Sequence, residues 1–145
     1  MQPLPHHYRV TASGEREGRV VLHHDGVAPI ESASPAEFGG PGDVWSPEGL
    51  LVAAIADCFI LSFRAVARAA RLEWDELEVR CEGTLERIEG VIAFTAFDLR
   101  AELTVDADVD PAQAEAALQR AERSCLISNS LKAAVHLTPV LALRA

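Results

Sequence analysis

Cys58 sits inside the apolar run Leu50-Leu51-Val52-Ala53-Ala54-Ile55-Ala56-Asp57-Cys58-Phe59-Ile60, and a second thiol, Cys125, lies far along the chain in Ser124-Cys125-Leu126-Ile127-Ser128-Asn129-Ser130. A lone helical cysteine is usually only a small hydrophobe. Two cysteines, each in its own distinctive setting, point to thiol redox chemistry with an attacking and a resolving sulfur. To attack, Cys58 must become a thiolate, and an apolar setting opposes that by raising its pKa. The helix macrodipole fades within about the first turn, and the adjacent Asp57 opposes ionisation further. Such chemistry therefore needs an arginine from elsewhere in the sequence.

The elements that must hold these residues are legible from turn signals and periodicity. Tyr8–Ala12 and Arg19–Leu22 are β-prone runs separated by the polar stretch Gly14–Gly18, as in a hairpin, and Ala28–Ser32 is a third strand. A Gly/Pro-rich loop, Phe38–Asp43, leads to Ser46-Pro47-Glu48, where a capping hydroxyl, a proline at the first helical position and a first-turn acid open one long helix of about 25 residues. Its first half is apolar nearly all round, which predicts burial on every side, while Arg64, Arg68 and Arg71 give the second half a wet face. Leu77, Val79, Cys81, Gly83 and Leu85 then alternate with polar residues, the period of a half-buried strand, and place Cys81 toward the core. A turn at Glu89-Gly90 leads to a second long strand over residues 91–105. Asp110-Pro111 caps a helix running to about Cys125, residues 128–134 form a last helical turn, and Val135–Leu143 closes the chain as a strand with Pro139 at an edge or bend. Strands and helices in segregated blocks argue for an α+β fold, and 145 residues for one domain, 1–145.

Composition excludes several functions. Acidic residues exceed basic ones by nine and no Lys/Arg cluster stands out, so the field opposes nucleic acid and anionic membrane surfaces. The first residues lack the basic and apolar regions of a signal peptide, and no apolar run reaches the roughly 18 residues a membrane span requires, so the chain reads as cytoplasmic. Three widely spaced cysteines do not make a secreted disulfide framework. The adjacent pairs His6-His7 and His23-His24, with His136 isolated, lack metal-ligand spacing, and no metal or cofactor is called for.

Ser46-Pro47-Glu48-Gly49-Leu50-Leu51, Ala56-Asp57-Cys58-Phe59, Cys125-x-x-Ser128-Asn129 and Arg16-Glu17-Gly18-Arg19 occur in the order found in the OsmC/Ohr family of osmotically inducible and organic hydroperoxide resistance proteins, which this chain resembles over nearly its whole length. The resemblance implies an intertwined homodimer with antiparallel sheets around a long central helix. It implies a thiol peroxidase in which Cys58 is peroxidatic and Cys125 resolving, Glu48 is the acid of the proline-glutamate pair, and Arg16 is the first arginine of the Arg-x-Gly-Arg turn, with Arg19 as its rival. The implied partners are a hydroperoxide and an external dithiol reductant, such as one of lipoyl type. Two positions depart from the family pattern: Leu126 follows the second cysteine where proline is usual, and Asp57 replaces a small or hydroxylic residue. On the residues alone Glu48 is a good first-turn helix acid. Trp45 suits either a hydrophobic staple or an apolar substrate mouth, and the staple is favoured. A redox sensor or small-ligand binder on the same scaffold, with slowly oxidising thiols, is the alternative function, and a purely structural stress protein the third.

Overall fold

The computed structural model describes residues 1–144, which form two compact units, Met1–Leu50 and the chain from Leu51 onward. In the first, β1 (Thr11–Ser13), β2 (Val20–His23) and β3 (Ile30–Ser32) make an antiparallel sheet in that order, with Thr11 opposite His23 and Val20 opposite Ser32. The β1–β2 connection passes through Gly18 at φ 95°, a left-handed conformation that glycine adopts without a Cβ penalty. After a single 3₁₀ turn, Ala36–Phe38, the chain returns to pair Ser32 with Trp45, and the Ala33 amide donates to the Trp45 carbonyl at 2.9 Å. Only Ser32 and Ser46 are buried in this unit, while Val10, Ile30 and Trp45 stay exposed.

Helix α1 (Pro47–Ala70) opens as its sequence predicts: the Gly49 amide donates to Ser46 Oγ at 3.0 Å and the Leu50 amide to the Ser46 carbonyl at 2.9 Å. It continues unbroken into the second unit and buries Ile55, Phe59, Phe63, Val66 and Ala67 on one stripe. It ends at Arg71, whose φ of 52° is left-handed, and the Leu72 amide reaches back to the Ala67 carbonyl at 3.0 Å in a Schellman closure. The expected all-round burial of its first half is not found: Leu51, Val52, Ala53 and Ala54 are half-buried and Leu61 is 52% exposed. One stripe faces the core of the second unit, while the opposite one, among the described residues, stays half-buried or exposed. The expectation that no apolar run is long enough to span a membrane also needs correcting. Within its 24 residues α1 holds an 18-residue window of mean hydropathy 2.1, so it meets that criterion by length and composition, because the few charges inside that window dilute the apolar average only slightly.

β4 (Glu76–Ile88) and β5 (Val91–Asp106) form a long antiparallel hairpin. The two residues between them, Glu89 and Gly90, both have positive φ (51° and 82°), which matches the twist of a two-residue hairpin turn. A bulge at Thr84/Leu85 follows Gly83, where a Cβ would come within 2.8 Å of the Phe94 ring and 3.0 Å of Phe97. Helix α2 (Pro111–Ser124) is capped by Asp110 Oδ1, which accepts from the Ala112 amide at 3.0 Å, and buries Ala114, Ala117, Leu118 and Ala121. β6 (Ala134–Arg144) then joins the sheet at its edge, in the order β4-β5-β6, and Pro139 stands on this edge strand. The β5–β6 pairing is parallel, with Leu99 opposite Leu137, and this corrects the expectation of purely antiparallel sheets. The reason is α2: a crossover helix returns the chain to the end where β5 began. The core of this unit joins Phe59 and Phe63 to Phe97, Leu99, Leu103 and Leu118, with Trp74 edge-on to Phe63 at 5.2 Å.

Candidate functional site

Cys58 and Cys125 are 67 residues apart in sequence, and the fold brings them together. Cys58 projects from α1, half-buried, into a cavity of about 490 Å³ lined by Ala54, Asp57, Leu61, Ser62, Leu126 and Ile127. Cys125 is fully buried immediately after α2, and its thiol lies close enough to Cys58 for each to feel the other. No disulfide joins them, and Cys81 is also free. Apart from Asp57 and Ser62, side chains of the lining are apolar or the thiol itself, so the cavity suits an organic group more than an ion.

The turn after Cys125 explains how one short segment reaches the other thiol. The Asn129 amide donates to the Cys125 carbonyl at 3.0 Å and the Ser130 amide to the Ile127 carbonyl at 3.0 Å, closing a tight turn that runs into the 3₁₀ residues Ser128–Ser130. Asn129 adds a side-chain bond, Nδ2 to the Arg123 carbonyl at 3.1 Å, and Ser130 Oγ donates to the Leu126 carbonyl at 2.7 Å. Folded this way, the turn carries the Ile127 backbone onto the Cys58 sulfur.

Burial pushes the Cys58 thiol above its ordinary range. The Ile127 backbone hydrogen bond opposes that shift, Cys125 adds to it, and Ser62, whose hydroxyl is 4.0 Å from the sulfur, draws it down again. Cys81 differs in kind. Packed against the core on β4, it is pushed up to about 11, chiefly by burial with Asp98 adding to the effect, and it stays a thiol at neutral pH.

The other residues singled out from sequence belong to the first unit. Arg19 is held by two carboxylates, Nη1 to Glu31 Oε2 at 2.6 Å and Nη2 to Asp43 Oδ2 at 3.0 Å. Arg16, on the exposed β1–β2 connection, makes no ion pair among the described residues. Glu48 occupies the first turn of α1, and its Oε2 is buried without a hydrogen-bond partner among the described residues. Glu48 and Cys58 are on the same continuous helix, about 15 Å apart along its axis, so no single group can bridge them within one chain. Trp45 is 53% exposed, and its ring lies beside Gly49. No cluster of three or more His, Cys, Asp or Glu among the described residues could hold a metal.

Two participants were missed in the sequence. Ser62 is four residues beyond Cys58 on the same helix face, a spacing that would have found it. Ile127 acts through its backbone, which no side-chain pattern reveals.

Comparison with known proteins gives a consistent result. Residues 40–140 match the family described as OsmC-like protein. An organic hydroperoxide resistance protein from Xanthomonas axonopodis pv. citri is 31% identical over 135 residues, 91% of each chain. Among solved structures, an OsmC-like protein of unknown function from Vibrio cholerae superposes with a TM-score of 0.86 at 19% identity, covering 94% of this chain and all of that one. An organic hydroperoxide resistance protein from Legionella pneumophila gives a TM-score of 0.76 at 25% identity, covering 97% and 100%.

Proposed function

This chain belongs to the OsmC-like protein family, and from that membership we propose that it is a peroxide-stress enzyme, a cysteine-based peroxidase that reduces organic hydroperoxides to alcohols. The observation that carries the reading is the meeting of Cys58 with Cys125 at an apolar cavity. The Cys58 thiolate attacks the distal oxygen of the hydroperoxide. The O–O bond breaks, the alkoxide leaves and takes up a proton to become the alcohol, and Cys58 is left as a sulfenic acid. The Cys125 sulfur then attacks the Cys58 sulfur, water leaves, and a Cys58–Cys125 disulfide forms. An external dithiol reduces that disulfide by exchange.

The cation that this chemistry needs is Arg16, which has no ion-pair partner among the described residues, whereas Arg19 is already held by Glu31 and Asp43. Arg16 stabilises the thiolate and the charge developing on the departing oxygen, and Glu48 orients Arg16. Because Glu48 stands about 15 Å from the Cys58 of its own helix, Glu48 and Arg16 act on the Cys58 of a second copy. Two further features support an intertwined homodimer. The sheet β1-β2-β3 buries no apolar side chain, and a sheet that small is not stable alone; the half-buried first half of α1 and the exposed Leu61 need a cover. The whole chain, 1–145, is then one working domain, soluble in the cytoplasm, where dithiol reductants are available.

Steady-state consumption of cumene hydroperoxide or a fatty-acid hydroperoxide, with dithiothreitol or a dihydrolipoyl compound as reductant, tests the reading. Turnover that vanishes in Cys58→Ser supports it. Oxidation of Cys58 that is slow and stops after one equivalent would instead favour a redox sensor.

A further inference from the structure

We propose that Asp57 determines which hydroperoxides reach Cys58: its carboxylate at the rim of the cavity disfavours substrates that carry a negative charge close to the peroxide and leaves the site to uncharged alkyl and aryl hydroperoxides. The inference rests on the peroxidase reading above and narrows its substrate class. Asp57 and Cys58 are consecutive on α1, so their Cα atoms are about 3.8 Å apart. Two neighbouring rows of the helix, Asp57–Leu61 and Cys58–Ser62, form the floor of the cavity, and Leu126 and Ile127 form the facing wall. Asp57 thus lines the same cavity as the reacting sulfur. It is exposed where Cys58 is half-buried, which puts the carboxylate at the open end.

Nothing in the cavity cancels that charge. Asp57 makes no ion pair among the described residues, and none of the residues lining the cavity is Lys, Arg or His. Arg120 lines a separate groove with Ala65 and Ala69, the nearer of which is seven residues beyond Cys58, about 10 Å along the helix axis. In the dimer proposed above Arg16 brings a cation to the sulfur, but Glu48 accompanies it, so that pair is neutral and the sign at the rim remains that of Asp57.

The consequence for a substrate follows from distance and screening. A hydroperoxide seated with its distal oxygen at the Cys58 sulfur points its far end outward, past the apolar side chains of Leu61 and Leu126 to the rim. Two like unit charges about 7 Å apart beside such walls change a rate by about threefold to tenfold. The effect is large at about 10 mM salt, where the Debye length is about 30 Å, and is largely screened at about 1 M salt, where it is about 3 Å.

The first arm of the test needs no peroxidase activity. Cys58 is alkylated with iodoacetamide, which is neutral, and with iodoacetate, whose carboxylate is bonded directly to the reacting carbon; in both, the thiolate displaces iodide, and the Cys58 peptide is followed by mass spectrometry. The ratio of the two rates removes any effect of Asp57 on how readily Cys58 ionises. In Asp57→Asn the preference for iodoacetamide should fall about fivefold at low salt, whereas in Glu73→Gln, which removes the same charge beyond the far end of α1, it should keep the parental value. High salt should bring parent and Asp57→Asn to the same ratio. The second arm compares cumene hydroperoxide carrying a para carboxylate with the methyl ester of the same molecule: kcat/KM for the ester divided by that for the acid should fall by a similar factor in Asp57→Asn. A parental ratio in Asp57→Asn in either arm overturns the proposal. So does an Asp57→Asn protein slowed equally toward both members of each pair, which would make Asp57 an anchor for Arg16 instead. A parent that discriminates against iodoacetate yet consumes neither hydroperoxide would sink the peroxidase reading on which the substrate class rests.

Discussion

Glu48 and Cys58 share one unbroken helix and stand about 15 Å apart on it, which makes a composite site across two chains the only way for one arginine to serve both. Mixed dimers test this directly. Mixed dimers isolated after co-refolding Cys58→Ser chains with Glu48→Ala chains, each inactive alone, should show about half of the parental activity, since one of the two sites in each mixed dimer is intact. Verified mixed dimers without recovered activity, or a monomeric mass at micromolar concentration, would return Glu48 to the role of a helix acid.

The thiols are distinguishable by product. Cys58→Ser should abolish peroxide consumption, and Cys125→Ser should permit one turnover and leave Cys58 as a sulfenic acid open to overoxidation. Mass spectrometry of the peroxide-treated parent should find Cys58 linked to Cys125 and Cys81 reduced. A dominant disulfide to Cys81 would contradict the assignment.

Arg16→Ala should move the pH dependence of Cys58 alkylation to higher pH, because burial already pushes this thiol up and the counter-ion would be gone. Peroxide attack at neutral pH should slow by about tenfold or more. Arg16→Lys should rescue only partly, lacking the planar fork. An unshifted alkylation profile in Arg16→Ala rules out the role. Arg19→Ala, which breaks exposed ion pairs to Glu31 and Asp43, should change alkylation little.

Cys81 makes a prediction about stability at alkaline pH. Its folded pKa of about 11 lies above the 9.0 of an unperturbed thiol, so the native state holds this proton where the unfolded chain has lost it. The resulting contribution is fully present below pH 9 and disappears as pH rises toward 11. Denaturant midpoints should fall across that window in the parent and fall less steeply in Cys81→Ala. Parallel curves for the two proteins would show that Cys81 is not the source.

Gly83 is the packing test. A side chain there meets the Phe94 and Phe97 rings, so Gly83→Val should destabilise the protein by about 1–3 kcal/mol, read from urea unfolding. A cost under about 0.5 kcal/mol would mean that the bulge at Thr84/Leu85 absorbs the added bulk.

What the sequence made legible is what local rules control. The cap at Ser46-Pro47, the strict alternation from Leu77 to Leu85, the Glu89-Gly90 turn and the Asp110-Pro111 start each rest on a few adjacent residues, and each element lies within a few residues of where these signals place it. The parallel setting of β6 was not legible, because the direction of Ala134–Arg144 depends on which way α2 carries the chain across the sheet. The incomplete burial of early α1 within one chain marks a related limit: an apolar sequence says that a face avoids water, and not what covers it. At the site, both cysteines announced themselves by their settings, whereas Ser62 was passed over although its helical spacing from Cys58 marks it. The contribution of Ile127 belongs to the folded turn.

The crossover through α2 also fixes when the thiols can meet. Cys58 is made early and sits in the middle of α1, whereas Cys125 lies between α2 and the strand that docks last in sequence, parallel to β5. Parallel pairing across so long a connection pays its loop-closure entropy before any contact compensates, so it forms late. During synthesis, then, the ribosome releases a chain whose two cysteines are still strangers, and Cys58 and Cys125 come together only as β6 docks.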